Sequence, residues 1–168
     1  ASLIQSVSAP FGSGILGRRT GILFNNRMRG FVTDPSSPNV VAPGKRPAHT
    51  LAPCLIRRDD GSVAAIATPG TTGQTATLAQ VLRRLLAWST PPEEAIAAPR
   101  WSVDLRGGPV IEDTMDAAIA DAVCDALPET ARRARGWLTF GAISLAIADS
   151  EGPRAYADDR RSVSAAAR

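Results

Sequence analysis

Residues 54–88 read CLIRRDDGSVAAIATPGTTGQTATLAQVLRRLLAW, and three kinds of local structure follow one another within them. Cys54-Leu55-Ile56-Arg57 and Ser62-Val63-Ala64-Ala65-Ile66-Ala67 flank Asp59-Asp60-Gly61, the turn chemistry of an antiparallel β-hairpin. From Gln74 to Trp88 the spacing of Leu78, Val81, Leu82, Leu85 and Leu86 is that of a helix with one apolar face. Between strand and helix stands Thr68-Pro69-Gly70-Thr71-Thr72-Gly73. A strand that passes through a glycine-rich turn into a helix N-terminus aims unpaired backbone N–H groups outward, which suits an anion or a developing oxyanion. A plain strand-to-helix connector has the same local signature, and these residues leave both readings open.

Upstream, the apolar residues 1–7 predict a strand whose sequence neighbour is absent, so its edge is exposed. Ala9-Pro10-Phe11-Gly12-Ser13-Gly14 follows as a turn, and Gly21-Ile22-Leu23-Phe24 is a short apolar run closed by Asn25-Asn26. Prolines at 35, 38, 43, 47 and 53 exclude regular helix or central strand from residues 33–53. A loop of that length in a compact domain walls a site or covers another element. Downstream, Thr90-Pro91-Pro92-Glu93 reads as a capping box opening a short helix that Pro99 stops. Residues 101–105 and 110–112 read as extended. Asp113 caps a predicted helix over 114–127, with Met115, Ala118, Ile119, Ala122, Val123 and Ala126 on its apolar face, and Pro128 opens a shorter helical piece to Arg135. Residues 140–149 form an apolar strand, Ser150-Glu151-Gly152-Pro153 a turn, and Ala155-Tyr156 the centre of an edge strand; the Ser- and Ala-rich end beyond Arg161 reads as frayed.

A chain of 168 residues, 44% hydrophobic and 21% charged, has the size and balance of one globular domain spanning 1–168, and disorder and collagen are excluded. No run approaches the roughly 18 apolar residues of a membrane span, and the opening Ala1-Ser2-Leu3-Ile4-Gln5 lacks a basic leader region. The expectation is a soluble protein with no membrane partner, cytoplasmic, and begun by cleavage or as a fragment, since no initiator Met precedes the first apolar run. The net charge of +3 is carried by scattered arginines, with Lys45 the only lysine and aromatics too few for a base-stacking platform. Nucleic acid is therefore not an expected partner. Cys54 and Cys124 lie far apart, with no CxxC and a single histidine, His49, so neither a metal nor a cofactor is expected. Reduced, buried thiols are the reading of the cysteines; nothing supports a disulfide.

A set of motifs adds to this reading. Gly21-Ile22-Leu23-Phe24-Asn25-Asn26 with Met28 and Phe31, Pro38-Asn39, Pro43-Gly44-Lys45-Arg46-Pro47, Thr68-Pro69-Gly70, and Glu94-Ala95-Ile96 with Ala98-Pro99-Arg100-Trp101 resemble, in that order, the small subunit of γ-glutamyltransferases. The resemblance is dense to about Glu112 and returns at Phe140-Gly141-Ala142-Ile143 and at Ala157-Asp158 with Arg160. It implies an α+β chain forming part of the four-layer αββα sandwich of N-terminal-nucleophile hydrolases. Such proteins cleave themselves so that a threonine becomes the first residue of the small subunit; its hydroxyl attacks the amide and its own amine serves as base. The resemblance places that threonine about one strand upstream of Ala1, so residues 1–168 alone are expected to be inactive. The implied partners are the large subunit, or N-terminal segment, of the same precursor and a small amide or peptide-like substrate.

Residue by residue, the resemblance places the paired oxyanion-hole glycines on Gly70 and Thr71, whose backbone N–H groups would serve. The position supporting the nucleophilic hydroxyl falls on Ser6, and an asparagine that helps to bind the substrate amine falls on Ser8. The serine pair for the substrate α-carboxylate falls on His49-Thr50, both able to donate to an anion. The largest departure is at Arg27 and Gly30, where glutathione-processing members carry a glutamine and an aspartate for the α-ammonium. An arginine facing the pocket would repel an ammonium and attract a carboxylate; one pointing to solvent would do neither. The implied activity is amide hydrolysis or acyl transfer with altered substrate recognition. Relatives implied by the resemblance include side-chain acylases and pathway enzymes of pyrroline-containing antibiotics, and the Arg-for-Lys, Ala-rich composition fits a GC-rich bacterial source. A non-catalytic remnant of the family is the alternative.

Overall fold

The structure, a computed structural model, describes residues 1–161. The chain divides into two compact units, one of Gln5–Leu51 and one of Ala1–Ile4 with the chain from Ala52 onward.

The larger unit is built in chain order from strands β1 (Cys54–Arg57) and β2 (Val63–Ala67), helices α1 (Gln74–Leu86) and α2 (Pro92–Ala97), strands β3 (Trp101–Val103) and β4 (Pro109–Glu112), helix α3 (Ala117–Ala126), and strands β5 (Ala131–Arg133), β6 (Ser144–Asp149) and β7 (Gly152–Ala157). β1, β2, β6 and β7 make an antiparallel sheet in that spatial order. The predicted hairpin is there: Gly61 takes φ +85°, and Asp60 Oδ1 accepts the Ser62 N–H at 2.8 Å. Alternation gives the sheet two different faces. Ile66 and Leu145 point to one side, where Leu78, Val81 and Leu85 of α1 and Ala95 and Ile96 of α2 cover them. Burying each of the larger side chains there stabilises the unit by about 1.5–3 kcal/mol. On the other side Leu55 and Val63, 60% and 42% exposed, run with Ala65, Ala146, Ala148, Pro153 and Ala155 as a bare apolar surface.

β3, β4 and β5 form a second sheet, β3 antiparallel and β5 parallel to β4, with α3 as the crossover. The Gln80 side chain joins the sheet to α1, donating to Trp101 O at 2.8 Å and accepting from Trp101 N at 3.0 Å.

Several expectations are corrected. Residues 1–7 form no strand; Ser2 instead donates its hydroxyl to Ile66 O at 2.9 Å, and without a backbone ladder an apolar run alone does not make one. Thr90 does not cap α2, whose N-cap is Pro91 with no side-chain hydrogen bond; Pro92 at the first position already omits one donor. α3 starts three residues later than expected, capped by Asp116, whose side chain accepts the Ile119 N–H at 3.2 Å, because the chain before it is still in a turn in which Met115 N donates to Glu112 O. The apolar stripe of α3 is mostly outside: Ile119 is 57% exposed and Ala120, not on that stripe, is the buried residue. Residues 131–133, expected as helix, form β5 because β4 offers them a parallel ladder. Strand β6 begins only at Ser144, since Leu138–Phe140 is a 3-10 turn and Gly141 breaks the chain at φ +71°. The expected fraying beyond Arg161 lies outside the described residues.

Gln5–Leu51 holds one 3-10 turn, Arg27–Gly30, and the isolated bridges Leu16 with Leu23 and Val32 with Val40. As the prolines require, residues 33–53 contain neither helix nor strand. Lys45 staples this stretch, its Nζ donating to Pro38 O at 2.6 Å and Val40 O at 2.9 Å and standing 5.9 Å over the Phe31 ring.

Candidate active site

At the end of β2 the chain turns through Thr68, Pro69 and Gly70, makes a 3-10 turn over Thr71–Gly73, and enters α1 at Gln74 without a break. Gly70 adopts φ +136° and Thr71 φ +51°. Two crossings with the segment before β6 hold this entry. A Cβ on Gly141 would overlap Thr68 Oγ1, one on Gly70 would stand 3.2 Å from Gly141 Cα, and one on Gly73 would run into the Thr139 carbonyl oxygen. Only backbones without side chains pass so closely. Ala142 N donates to Thr68 Oγ1 at 3.0 Å, and Thr68 Oγ1 donates to Pro69 O at 2.7 Å. Phe140 O accepts from Thr77 Oγ1 at 3.0 Å and from Arg100 Nη1 at 2.8 Å. The donors at the head of α1 are thus carried on a rigid frame, the arrangement that electrostatic stabilisation of an oxyanion needs.

Behind this frame lie four fully buried charges. Arg100 Nη2 meets Asp158 Oδ2 at 2.7 Å; Arg160 meets Glu112 through Nε at 2.5 Å and Nη2 at 2.9 Å, and Asp158 Oδ1 at 3.1 Å. Two positive and two negative groups balance, and backbone groups take most of the remaining hydrogen bonds: Ile96 O accepts from both arginines, and Asp158 accepts from Ile143 N and Arg160 N, while Arg100 Nε has no partner among the described residues. Burial, reinforced by the like charge of Arg160, pulls the Arg100 guanidinium down to about 10 against the attraction of Asp158. Burial acts to raise Asp158, but the Arg100 charge and the N–H groups of Ile143 and Arg160 outweigh it and hold the carboxyl below its ordinary value. The sequence reading quoted Arg100, Asp158 and Arg160 as motif residues and missed the cluster. Only Arg100, between Pro99 and Trp101, carried a local signal; Asp158 and Arg160 stand in the charged run Asp158-Asp159-Arg160-Arg161, which reads as solvated surface.

The other expected site residues lie in Gln5–Leu51. Ser6 Oγ accepts the Ser8 N–H at 3.0 Å, and Ser8 takes φ +78°. Asn26 ties this stretch to the next, its N–H reaching Val7 O at 3.2 Å and its Oδ1 accepting Ala9 N at 3.1 Å. Val7, between Ser6 and Ser8, is thus bonded to the residue that precedes Arg27, which is half-buried and starts the 3-10 turn ending at Gly30. Gly30 has open space where a side chain would stand, and its carbonyl accepts from Asn39 Nδ2 at 2.6 Å. His49 and Thr50 are exposed near the end of the unit, with His49 Nδ1 accepting from Leu51 N at 3.2 Å. This unit carries six basic side chains, Arg18, Arg19, Arg27, Arg29, Lys45 and Arg46, against the single acid Asp34. Among the described residues no group of three metal-ligating side chains converges, and no helix is long and apolar enough to cross a membrane.

The family model described as gamma-glutamyltranspeptidase matches residues 1–168. The oxamate amidohydrolase proenzyme of Klebsiella pneumoniae is 41% identical over 100 residues, which cover 60% of this chain and 19% of that protein. The glutathione hydrolase-like YwrD proenzyme of Bacillus subtilis is 36% identical over 100 residues, with the same shares of 60% and 19%. The match thus spans about a fifth of the length of these relatives. Among solved structures, the cephalosporin acylase of Bacillus halodurans superposes with a TM-score of 0.84 at 28% identity, covering 97% of this chain and 31% of that one. The gamma-glutamyltranspeptidase of Pseudomonas nitroreducens complexed with L-DON gives 0.80 at 25% identity, covering 100% of this chain and 93% of that one.

Proposed function

Because the chain belongs to the gamma-glutamyltranspeptidase family, we propose that it forms the oxyanion-bearing part of a self-processed amide hydrolase or acyltransferase whose substrate carries a carboxylate or neutral group where γ-glutamyl donors carry an ammonium. The observation that carries the first half is the Gly70–Thr71 entry into α1, a pair of backbone donors on a frame locked by glycine crossings. In this reading a threonine hydroxyl outside residues 1–168 adds to the scissile carbonyl, and its own amine takes the proton. The Gly70 and Thr71 N–H groups hold the oxygen as it gains charge, and the leaving amine departs with a proton. Water, or an acceptor amine, then releases the acyl group from the ester. The family resemblance alone assigns Ser6 to support of the nucleophile, Ser8 to the position that helps to bind the substrate amine, and His49 and Thr50 to the substrate carboxylate.

The second half is supported by the charge of Gln5–Leu51. Arg27 is present and the acid expected at Gly30 is not, while the unit as a whole is strongly basic. The loss of a charge-assisted bond to an ammonium is worth about 1.5–3 kcal/mol. The similar protein named for oxamate acts, by that name, on an amide whose carbonyl bears a carboxylate directly. The bare face of the first sheet, with Leu55 and Val63 exposed among alanines, is the surface on which the rest of the precursor would pack. The test is kcat/KM of the intact, self-cleaved protein on a γ-glutamyl anilide against its des-amino glutaryl counterpart. The glutaryl compound is expected to win by about tenfold or more. A γ-glutamyl preference of that size would overturn the substrate reading while leaving amide hydrolysis standing.

A further inference from the structure

Thr71 combines two unfavourable features at one position. Its backbone sits at φ +51°, and the left-handed region disfavours β-branched side chains most of all. Its Oγ1 is sealed from solvent and has no hydrogen-bond partner among the described residues, although the residue as a whole is only partly buried. A glycine would remove both, and glycine stands immediately before it at Gly70 and two residues after it at Gly73. A buried hydroxyl left unpaired is a rarity that calls for a partner, and strain at a loop of this kind points to function when the outlier is observed first.

We propose that the Thr71 hydroxyl is a catalytic donor, adding a third hydrogen bond, beside the backbone N–H groups of Gly70 and Thr71, to the oxygen that becomes charged on the scissile carbonyl. This rests on the reading of Gly70–Thr71 as the oxyanion entry. In this proposal Oγ1 leaves its sealed position by rotation about χ1, whose staggered positions exchange hydroxyl, methyl and hydrogen on Cβ. In the resting protein the donor is unpaired, so no bond has to be broken before it is used. Its bond forms as charge develops, which places its effect on kcat and little of it on KM.

The test compares T71G, T71S and T71V with the wild type in the full-length, self-cleaved protein, reading kcat, KM and Tm on one anilide substrate. T71G relieves the backbone strain, so its Tm is expected to equal or exceed that of the wild type, while kcat falls by roughly 10- to 100-fold at nearly unchanged KM. T71S keeps the hydroxyl and retains kcat to within a small factor; T71V, which keeps the branch and loses the donor, falls with T71G. A residue that merely shapes the loop gives the opposite pattern, with T71V near wild type. If T71G fails to self-cleave, the T71S and T71V pair decides alone. An active wild type whose T71G and T71V keep its kcat overturns this inference and leaves the proposed function intact. A folded wild type that turns over no amide overturns both.

Discussion

Replacing Arg160 by Met should destabilise the protein distinctly more than replacing Arg100, although both are buried arginines in one cluster. The difference lies in what each leaves behind. Without Arg100, Phe140 O keeps Thr77 Oγ1, Ile96 O keeps Arg160 Nη1, and Asp158 Oδ2 keeps the Ile143 N–H. No acceptor is orphaned, and the loss falls at the low end for a broken buried ion pair, about 3 kcal/mol. Without Arg160, the Glu112 carboxylate, 1% exposed, retains only the Thr114 hydroxyl at 3.3 Å among the described residues. An uncompensated buried charge brings the loss to about 5 kcal/mol. At about 2–4 °C per kcal/mol for a chain of this size, Tm should drop by about 6–12 °C for R100M and about 10–20 °C for R160M. The decisive measurement is a double-mutant cycle in thermal melts of the full-length protein. Glu112→Gln in the wild type robs Arg160 of its acceptor and lowers Tm; the same change in R160M removes the stranded charge and raises it. Equal losses for R100M and R160M, or E112Q lowering Tm in both backgrounds, would refute the reasoning.

Two further outcomes follow from the same frame. G73A should abolish soluble expression or self-cleavage, because its methyl would occupy the space of the Thr139 carbonyl oxygen; a processed, active G73A means the crossing is looser than described. Asp158 has a folded pKa below its unfolded 3.8, so the stability it contributes is present above that value and is lost as pH falls through the folded one. Tm measured from pH 5 down to pH 2 should therefore decline more steeply for the wild type than for D158N, and parallel slopes would count against it.

The elements read correctly from sequence are those whose determinants are local. The Asp59-Asp60-Gly61 turn carries its own geometry, and the leucines of α1 repeat every three or four residues whatever surrounds them. The clearest misreading comes from a long-range pairing that no local pattern announces. Residues 131–133 become a strand because β4 lies beside them. The buried charges were hidden for the same reason: Arg100 and Asp158 are 58 positions apart and Glu112 and Arg160 are 48. No window of sequence contains either pair. Of the site, Gly70 and Thr71 were placed at a helix entry from local residues, while Ser6, Ser8, Arg27, Gly30, His49 and Thr50 were reached through resemblance alone. The link between the two stretches is Asn26, next to Arg27, whose part depends on its backbone and side-chain bonds to Val7 and Ala9.

The lone ε-amine of this chain also changes what amine-directed chemistry can report. Lys45 Nζ is engaged by two carbonyl oxygens and lies over an aromatic ring, so acylating or alkylating reagents compete with those contacts for it. Within these 168 residues Lys45 is the one ε-amine that isotope-labelled reductive methylation would mark, in a signal distinct from that of any α-amine. The rate at which the label enters would then report how firmly those contacts hold the amine, without a mutation anywhere in the chain.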